Sequence, residues 1–396
     1  MTPLPPLSDA TLALGRRAMA GLLGVDALYR AESGDGDGLA VLDLDVEGAH
    51  RPEAFATYGE AAAFFGELSA DAASLPEADR CRYYAQLAGS TLAFVEWRAR
   101  GLPFRAQLER FLHVPSAPAS EEELDALRAA MRALLDRMGY PGGLTEQCRA
   151  WEERNRVPPE DVPGVLGELL HRAWDLTEER LVPIPAPRSD GMKVAAVTGV
   201  AYNARCDYLS RTIELNVDPV LTRPALKHLA VHEGYPGHYL QFKLRETWAR
   251  EGTAAADVLL SVVNTASSSV FEGIADAGME AIGWVASDDD RLQALMSRYR
   301  AGIGTGAAWL LHAEGRPEPE VVDWLRARAL VGGEGWVQNR MRFIAAPARS
   351  ALIWSYWWGE ASVAPVWRRV PAPRRGDFVH WLYGRMHSNE TVRMFA

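Results

Sequence analysis

The chain has 396 residues, 48% of them apolar and 24% charged, a balance that belongs to a folded globular protein and excludes disordered and fibrous architectures. Its formal charge of −10 argues against a nucleic-acid partner, which requires a concentrated basic face. Three widely spaced cysteines, Cys81, Cys148 and Cys206, provide neither a disulfide framework nor a paired metal knuckle. No run of eighteen charge-free apolar residues offers a membrane span, so no membrane partner is expected. The first residues lack the basic start and apolar run of a secretion signal, and the expected location is the cytoplasm.

In chain order, the first 180 residues read as successive helices. Ser8 is placed to cap a helix over residues 8–23, and further helices are expected at 52–68 and 77–99. Asp35-Gly36-Asp37-Gly38 reads as a turn leading into a strand at 39–46. Ser120 followed by Glu123 is a capping box. Behind it Leu124, Leu127, Met131, Leu134 and Met138 mark one helical face, and Gly139 ends it. Another helix is expected at 161–180. The proline-rich connector 182–187 cannot be helix interior. Two β-like segments follow at 193–202 and 212–217, the only strands expected in the C-terminal half, and helix resumes from Arg223. The expected fold is mostly α, a multi-helix metallopeptidase-like fold with a small β element before the metal-binding helix. Residues 1–181 form an N-terminal helical region and 182–396 a metal-binding catalytic region.

The chemistry concentrates in His232-Glu233-Gly234-Tyr235-Pro236-Gly237-His238. A zinc-protease helix presents two histidines at i and i+4, one turn apart on one face, with a glutamate after the first. Here position i+4 is Pro236 and the second histidine stands at i+6, which a regular helix would swing about 120° away. Proline removes a helical hydrogen bond and glycine tolerates unusual backbone, so Pro236-Gly237 lets two residues leave the helix and returns His238 to the metal. This reading requires a break in the helical hydrogen bonds between Tyr235 and His238. A third ligand is needed, and Glu272, 34 residues beyond His238, is the best candidate. Asp276, one turn later, is placed to accept a hydrogen bond from a ligand histidine. His228 also stands four residues before His232, but no glutamate lies between them; it reads as a supporting or core residue.

This pattern, His-Glu-x-x-Pro-Gly-His followed by Glu272-Gly273, resembles the family catalogued as domain of unknown function 885, whose members look like gluzincin-type zinc metallopeptidases. The resemblance extends back to Ile213-Glu214-Leu215-Asn216 and forward to Ala351-Leu352 and Ser355-Tyr356 with Gly359, covering about residues 190–396. It implies a metal held by His232, His238 and Glu272. The chain departs from the family at Tyr239, where a second histidine is usual, and at Ile274 and Ala277.

Those residues lead to an expected function: a zinc-dependent hydrolase of a peptide or small amide, with Glu233 as general base. One zinc ion is the expected cofactor, although imidazole and carboxylate also accept manganese, iron or cobalt. Tyr356 and His387 are the expected donors to the oxyanion. Tyr202, Asn203, Arg205 and Asn216 flank the strands where a peptide would add as a further strand, and Arg340, Arg342 and Arg349 are candidates for binding a substrate carboxylate. The alternatives are a metalloenzyme acting on a small biosynthetic intermediate, and a metal-stabilised scaffold, which has no need of Glu233.

Overall fold

The computed structural model describes residues 6–33 and 38–395, so the turn expected at Asp35-Gly36-Asp37 lies outside the described residues. The fold is mostly α. Among the described residues no helix is long and apolar enough to cross a membrane. The chain divides into two compact units, each built from separate stretches of sequence: residues 1–116, 241–273 and 358–396 in one, residues 117–240 and 274–357 in the other.

The first unit begins with the helix Asp9–Ser33. The Ser8 hydroxyl accepts from the Thr11 N–H at 3.2 Å, capping the helix as expected. The helix runs ten residues beyond its expected end, passing through Gly24. A Cβ on Gly24 would stand 2.4 Å from the Glu53 carbonyl oxygen, so glycine there admits the passing chain. The helix expected from residue 52 starts only at Tyr58. The Thr57 hydroxyl accepts from the Glu60 N–H while the Glu60 carboxylate accepts from the Ala56 N–H, and these bonds fix the start. Met19, Leu22, Phe65, Leu68, Tyr84 and Leu87 from these helices and from Ala78–Arg100 are buried together in the core. Burial of each such side chain contributes about 1.5–3 kcal/mol.

The strand expected at 39–46 is shorter, Ala40–Asp43, and pairs antiparallel with Leu260–Val262. Asp45 ends it by accepting from the N–H groups of Ala49 and His50, bending the chain into a turn. Its partner at Leu260–Val262 falls where helix was expected.

In the second unit the helix Glu121–Arg137 carries the expected capping box at Ser120 and Glu123, and Val162–Arg180 matches the expected helix almost residue for residue. Leu124, Met131, Leu134 and Leu135 are its buried face. Both sides of the proline-rich connector belong to this unit. The β element has three strands rather than two. Thr212–Asn216 lies at the centre, parallel to Lys193–Val197 and antiparallel to Ala204–Asp207. The segment expected as one strand from 193 to 202 breaks at Gly199, whose φ of +72° takes the chain out of the extended region.

The Ser120 cap is exposed, so its contribution is accessible to a simple test. Ser120→Ala is expected to lower stability by about 1 kcal/mol, read as a lower urea midpoint with an unchanged slope.

Candidate metal centre

The motif begins on the helix Arg223–Leu229, opened by the Thr222 hydroxyl, which accepts from the Ala225 N–H at 3.3 Å. Lys227 ties this helix down through an ion pair of 2.8 Å with Asp290. The helix then widens. Residues Ala230–Gly234 form a π-type turn, with the Tyr235 N–H donating to the Ala230 carbonyl at 3.2 Å and the Gly237 N–H reaching the Val231 carbonyl at 2.9 Å. These bonds span five and six residues in place of the helical four. A new helix, His238–Arg250, starts at the second histidine itself.

The break therefore sits where the spacing required it, and its tightest point is Gly237. A Cβ there would lie 1.9 Å from the His232 carbonyl oxygen and 2.4 Å from that of Val231. Only glycine allows the chain to fold back this closely on the wide turn. Its φ is not positive, so the requirement is steric rather than conformational.

As a result the His232 and His238 rings stand 4.7 Å apart, edge to face at 84°. Glu272 is supplied by the continuous helix Ser268–Asp276. One ligand atom each from His232, His238 and Glu272 lies within 4.8 Å of the others, and all three residues are buried. Asp276, one turn after Glu272, holds His232 Nδ1 at 2.9 Å. That bond places the His232 proton on Nδ1 and turns the Nε2 lone pair outward as a ligand. Two neutral imidazoles and one carboxylate are a donor set suited to zinc, and three ligands leave a fourth position for water.

His228 forms a second cluster with His232 and Asp276, its Nε2 3.7 Å from the same carboxylate oxygen. Burial pushes the His228 imidazole down to about 4, against the opposing charge of Asp276, so it is neutral at physiological pH. Glu233 is buried on the wide turn and belongs to neither cluster. Burial first, and then the Glu233 charge, push the Cys206 thiol on strand Ala204–Asp207 well up. No sequence signal ties Cys206 to Glu233.

No family model matches this chain. No curated protein matches it. Among solved structures it is similar to a candidate lipoprotein from Colwellia psychrerythraea, at 13% identity and a TM-score of 0.54, over 84% of this chain and 65% of that one. A candidate lipoprotein of unknown function from Shewanella oneidensis is similar at 12% identity and a TM-score of 0.51, over 85% of this chain and 71% of that one. The chain thus spans about two thirds of the first neighbour's length. At these identities the likeness is one of fold.

The remaining candidates fall into two groups. His387 is buried among its own partners. Its Nδ1 faces the Arg80 guanidinium at 3.3 Å and its Nε2 the Trp381 carbonyl at 3.0 Å. Arg80 has only hydrogens to give, so Nδ1 accepts and the one imidazole proton, on Nε2, goes to Trp381. His387 has no proton left for an oxyanion, and the expected role does not fit. Asn216 is likewise consumed by the fold: its amide donates to Tyr202 O at 3.1 Å and accepts from the Asp218 N–H at 3.0 Å. Asn203 is bound by the Asn339 amide at 2.8 Å.

Tyr202 and Arg205 meet at Glu214 on the central strand. The Tyr202 hydroxyl donates to Glu214, which also pairs with Arg205 at 2.9 Å. Burial and Glu214 push the Tyr202 phenol up to about 12 while Arg205 and Arg349 oppose this. Arg342 is exposed. Tyr356 packs against Phe343, ring centroids 6.1 Å apart, with the half-buried Arg340 over the same Phe343 ring.

Gly237 carries the sharpest test of this geometry. Gly237→Ala is expected to force the turn open, weaken zinc binding at least tenfold and cost about 1–3 kcal/mol of stability. Zinc competition against a chelator and thermal unfolding read the two effects. Unchanged zinc affinity in that variant would show that His238 does not depend on this turn.

Proposed function

We propose that this protein is a metal-dependent hydrolase of a peptide or small amide, with one zinc ion held by His232, His238 and Glu272. The observation that carries the reading is the approach of three ligand atoms to within 4.8 Å of one another, with the outer nitrogen of His232 fixed by Asp276. A structural zinc site is closed by four protein ligands, whereas three leave room for chemistry. When bound, zinc supplies an acidified water and polarises the carbonyl that it faces.

The chain's own residues supply the rest. Glu233 takes the proton from the attacking water and returns it to the leaving amine. Asp276 keeps His232 in one tautomer and one orientation. Tyr356 remains the proposed donor to the developing oxyanion. The edge strand Ala204–Asp207 offers an outer edge against which an extended peptide lies. Tyr202 and Arg205 flank that edge.

Membership in the family of domain of unknown function 885 is part of the same proposal, as is a cytoplasmic location, supported by three cysteines that form no disulfide. The lipoprotein description of the two structural neighbours suggests the cell envelope instead, and cell fractionation separates the two.

Glu233→Gln is expected to keep stoichiometric zinc while turnover of a cleaved peptide falls by about two to four orders of magnitude. Glu272→Ala is expected to lose the metal, since two imidazoles hold zinc far more weakly than three ligands. Elemental analysis and a peptide-library digest measure both. Near-normal turnover in Glu233→Gln would remove Glu233 from the mechanism, and full zinc in Glu272→Ala would move the third ligand elsewhere.

A further inference from the structure

His228 has no part in the set of His232, His238 and Glu272, yet its imidazole is held beside that set. It stands on the helix Arg223–Leu229, four residues before His232, and the two ring centroids are 5.7 Å apart. Among the described residues His228 makes no hydrogen bond. Asp276, the last residue of the helix Ser268–Asp276, faces both rings. Its Oδ1 lies 2.9 Å from His232 Nδ1 and 3.7 Å from His228 Nε2. The first distance is a hydrogen bond, and the second is too long for one. It is close to the roughly 3.4 Å that separates two donors held about 2.0–2.1 Å from one tetrahedral ion.

One donor atom from each of His228, His232 and Asp276 lies within 4.8 Å of the others, the limit that the set with His238 and Glu272 also meets. All three residues belong to the second unit. The side chains of His228 and Asp276 are 20% and 18% exposed, whereas His232, His238 and Glu272 are buried. The cluster is therefore the outer of the two, and solvent reaches it. Packing alone gives no reason for an imidazole whose nitrogens make no hydrogen bond, and an apolar ring would serve as well.

The geometry points to a second, outer metal site made by His228, Asp276 and Nδ1 of His232, for a divalent transition ion. Two imidazoles and one carboxylate suit zinc, cobalt, nickel or copper, whereas magnesium and calcium take oxygen ligands. The site needs neither Glu272 nor Glu233 and so stands apart from the hydrolase reading. It does share one ring with the inner site. An ion on Nδ1 takes the place of the proton now given to Asp276; that proton leaves to solvent, and Asp276 stays as a ligand. With an ion on Nε2 as well, His232 bridges the two as an imidazolate. Displacing the proton and crowding a second cation onto one ring both cost free energy. The outer ion is thus the weaker and fills second.

The test counts zinc on the full chain in equilibrium dialysis as free zinc is raised. The wild type is expected to take up one tight zinc and then a second, weaker one. His228→Ala is expected to stop at the first over the same range. Glu272→Ala is expected to lose the tight ion and keep the weak one, which dialysis against zinc-free buffer then removes. Melting without metal checks that each variant folds, and His228→Gln replaces the alanine variant if that one melts lower. Cobalt gives a second readout, since the absorption change of its second equivalent is expected to be missing in the His228 variant.

A second zinc that the His228 variant retains is an adventitious surface ion and overturns the inference. So does saturation of the wild type at one zinc that the variant keeps, or a Glu272→Ala chain that takes up none at high zinc. A single tight zinc lost in the His228 variant and kept in Glu272→Ala would uphold the outer site and sink the ligand set of the hydrolase reading alone.

Discussion

Everything at the candidate site depends on how closely the chain passes over its own wide turn at Gly237. With one carbon more at this position the His232 carbonyl would be 1.9 Å from a Cβ, and the turn would have to open. The i+6 spacing of the two histidines would then place them on different faces, as it does in any regular helix. The widened turn Ala230–Gly234 and the fresh helix start at His238 are two halves of one solution. The first half overshoots the helical path and the second starts a new helix at the ligand itself, so that His238 faces His232 across 4.7 Å.

The second half of the site comes from a single regular helix. Glu272 and Asp276 stand at i and i+4, so one rigid element delivers a candidate ligand and the carboxylate that orients His232. A local motif of this kind is legible in a sequence because helical spacing converts directly into direction. The same logic made the capped helices Glu121–Arg137 and Val162–Arg180 readable from Ser120, Glu123 and the apolar stripe. The wide turn was readable too, because proline and glycine at fixed places say where a helix must fail.

What escaped the sequence was non-local. The strand Leu260–Val262 has too little pattern of its own; it exists because Ala40–Asp43, more than two hundred residues earlier, pairs with it. Strand 204–207 joins the sheet as a third member after a glycine turn that period-2 counting cannot place. His387 and Asn216 do form hydrogen bonds, as their side chains allow, but with the backbone of Trp381 and Tyr202. Side-chain chemistry is visible in a sequence, whereas the partner that consumes it is not. Arg245 is the opposite case: an arginine on a helix looks solvated in a sequence, and this one is buried.

These buried polar groups also bear on why the site persists. Glu233, Glu272, His232, His238 and Arg245 are all buried in a chain whose core is otherwise aromatic and aliphatic. Each charge taken from water costs several kcal/mol unless its surroundings return that energy, and apolar residues of equal volume are usually no less stable. The paired groups, such as Asp79 with Arg80 and Arg385, are answered within the fold. Glu233 is buried on the wide turn, where helical spacing by itself does not ask for a carboxylate. A fold shaped by stability alone would replace it, along with the histidines and the crowded Gly237. Their concentration over the short stretch from His232 to His238 marks the segment on which the proposed hydrolysis depends.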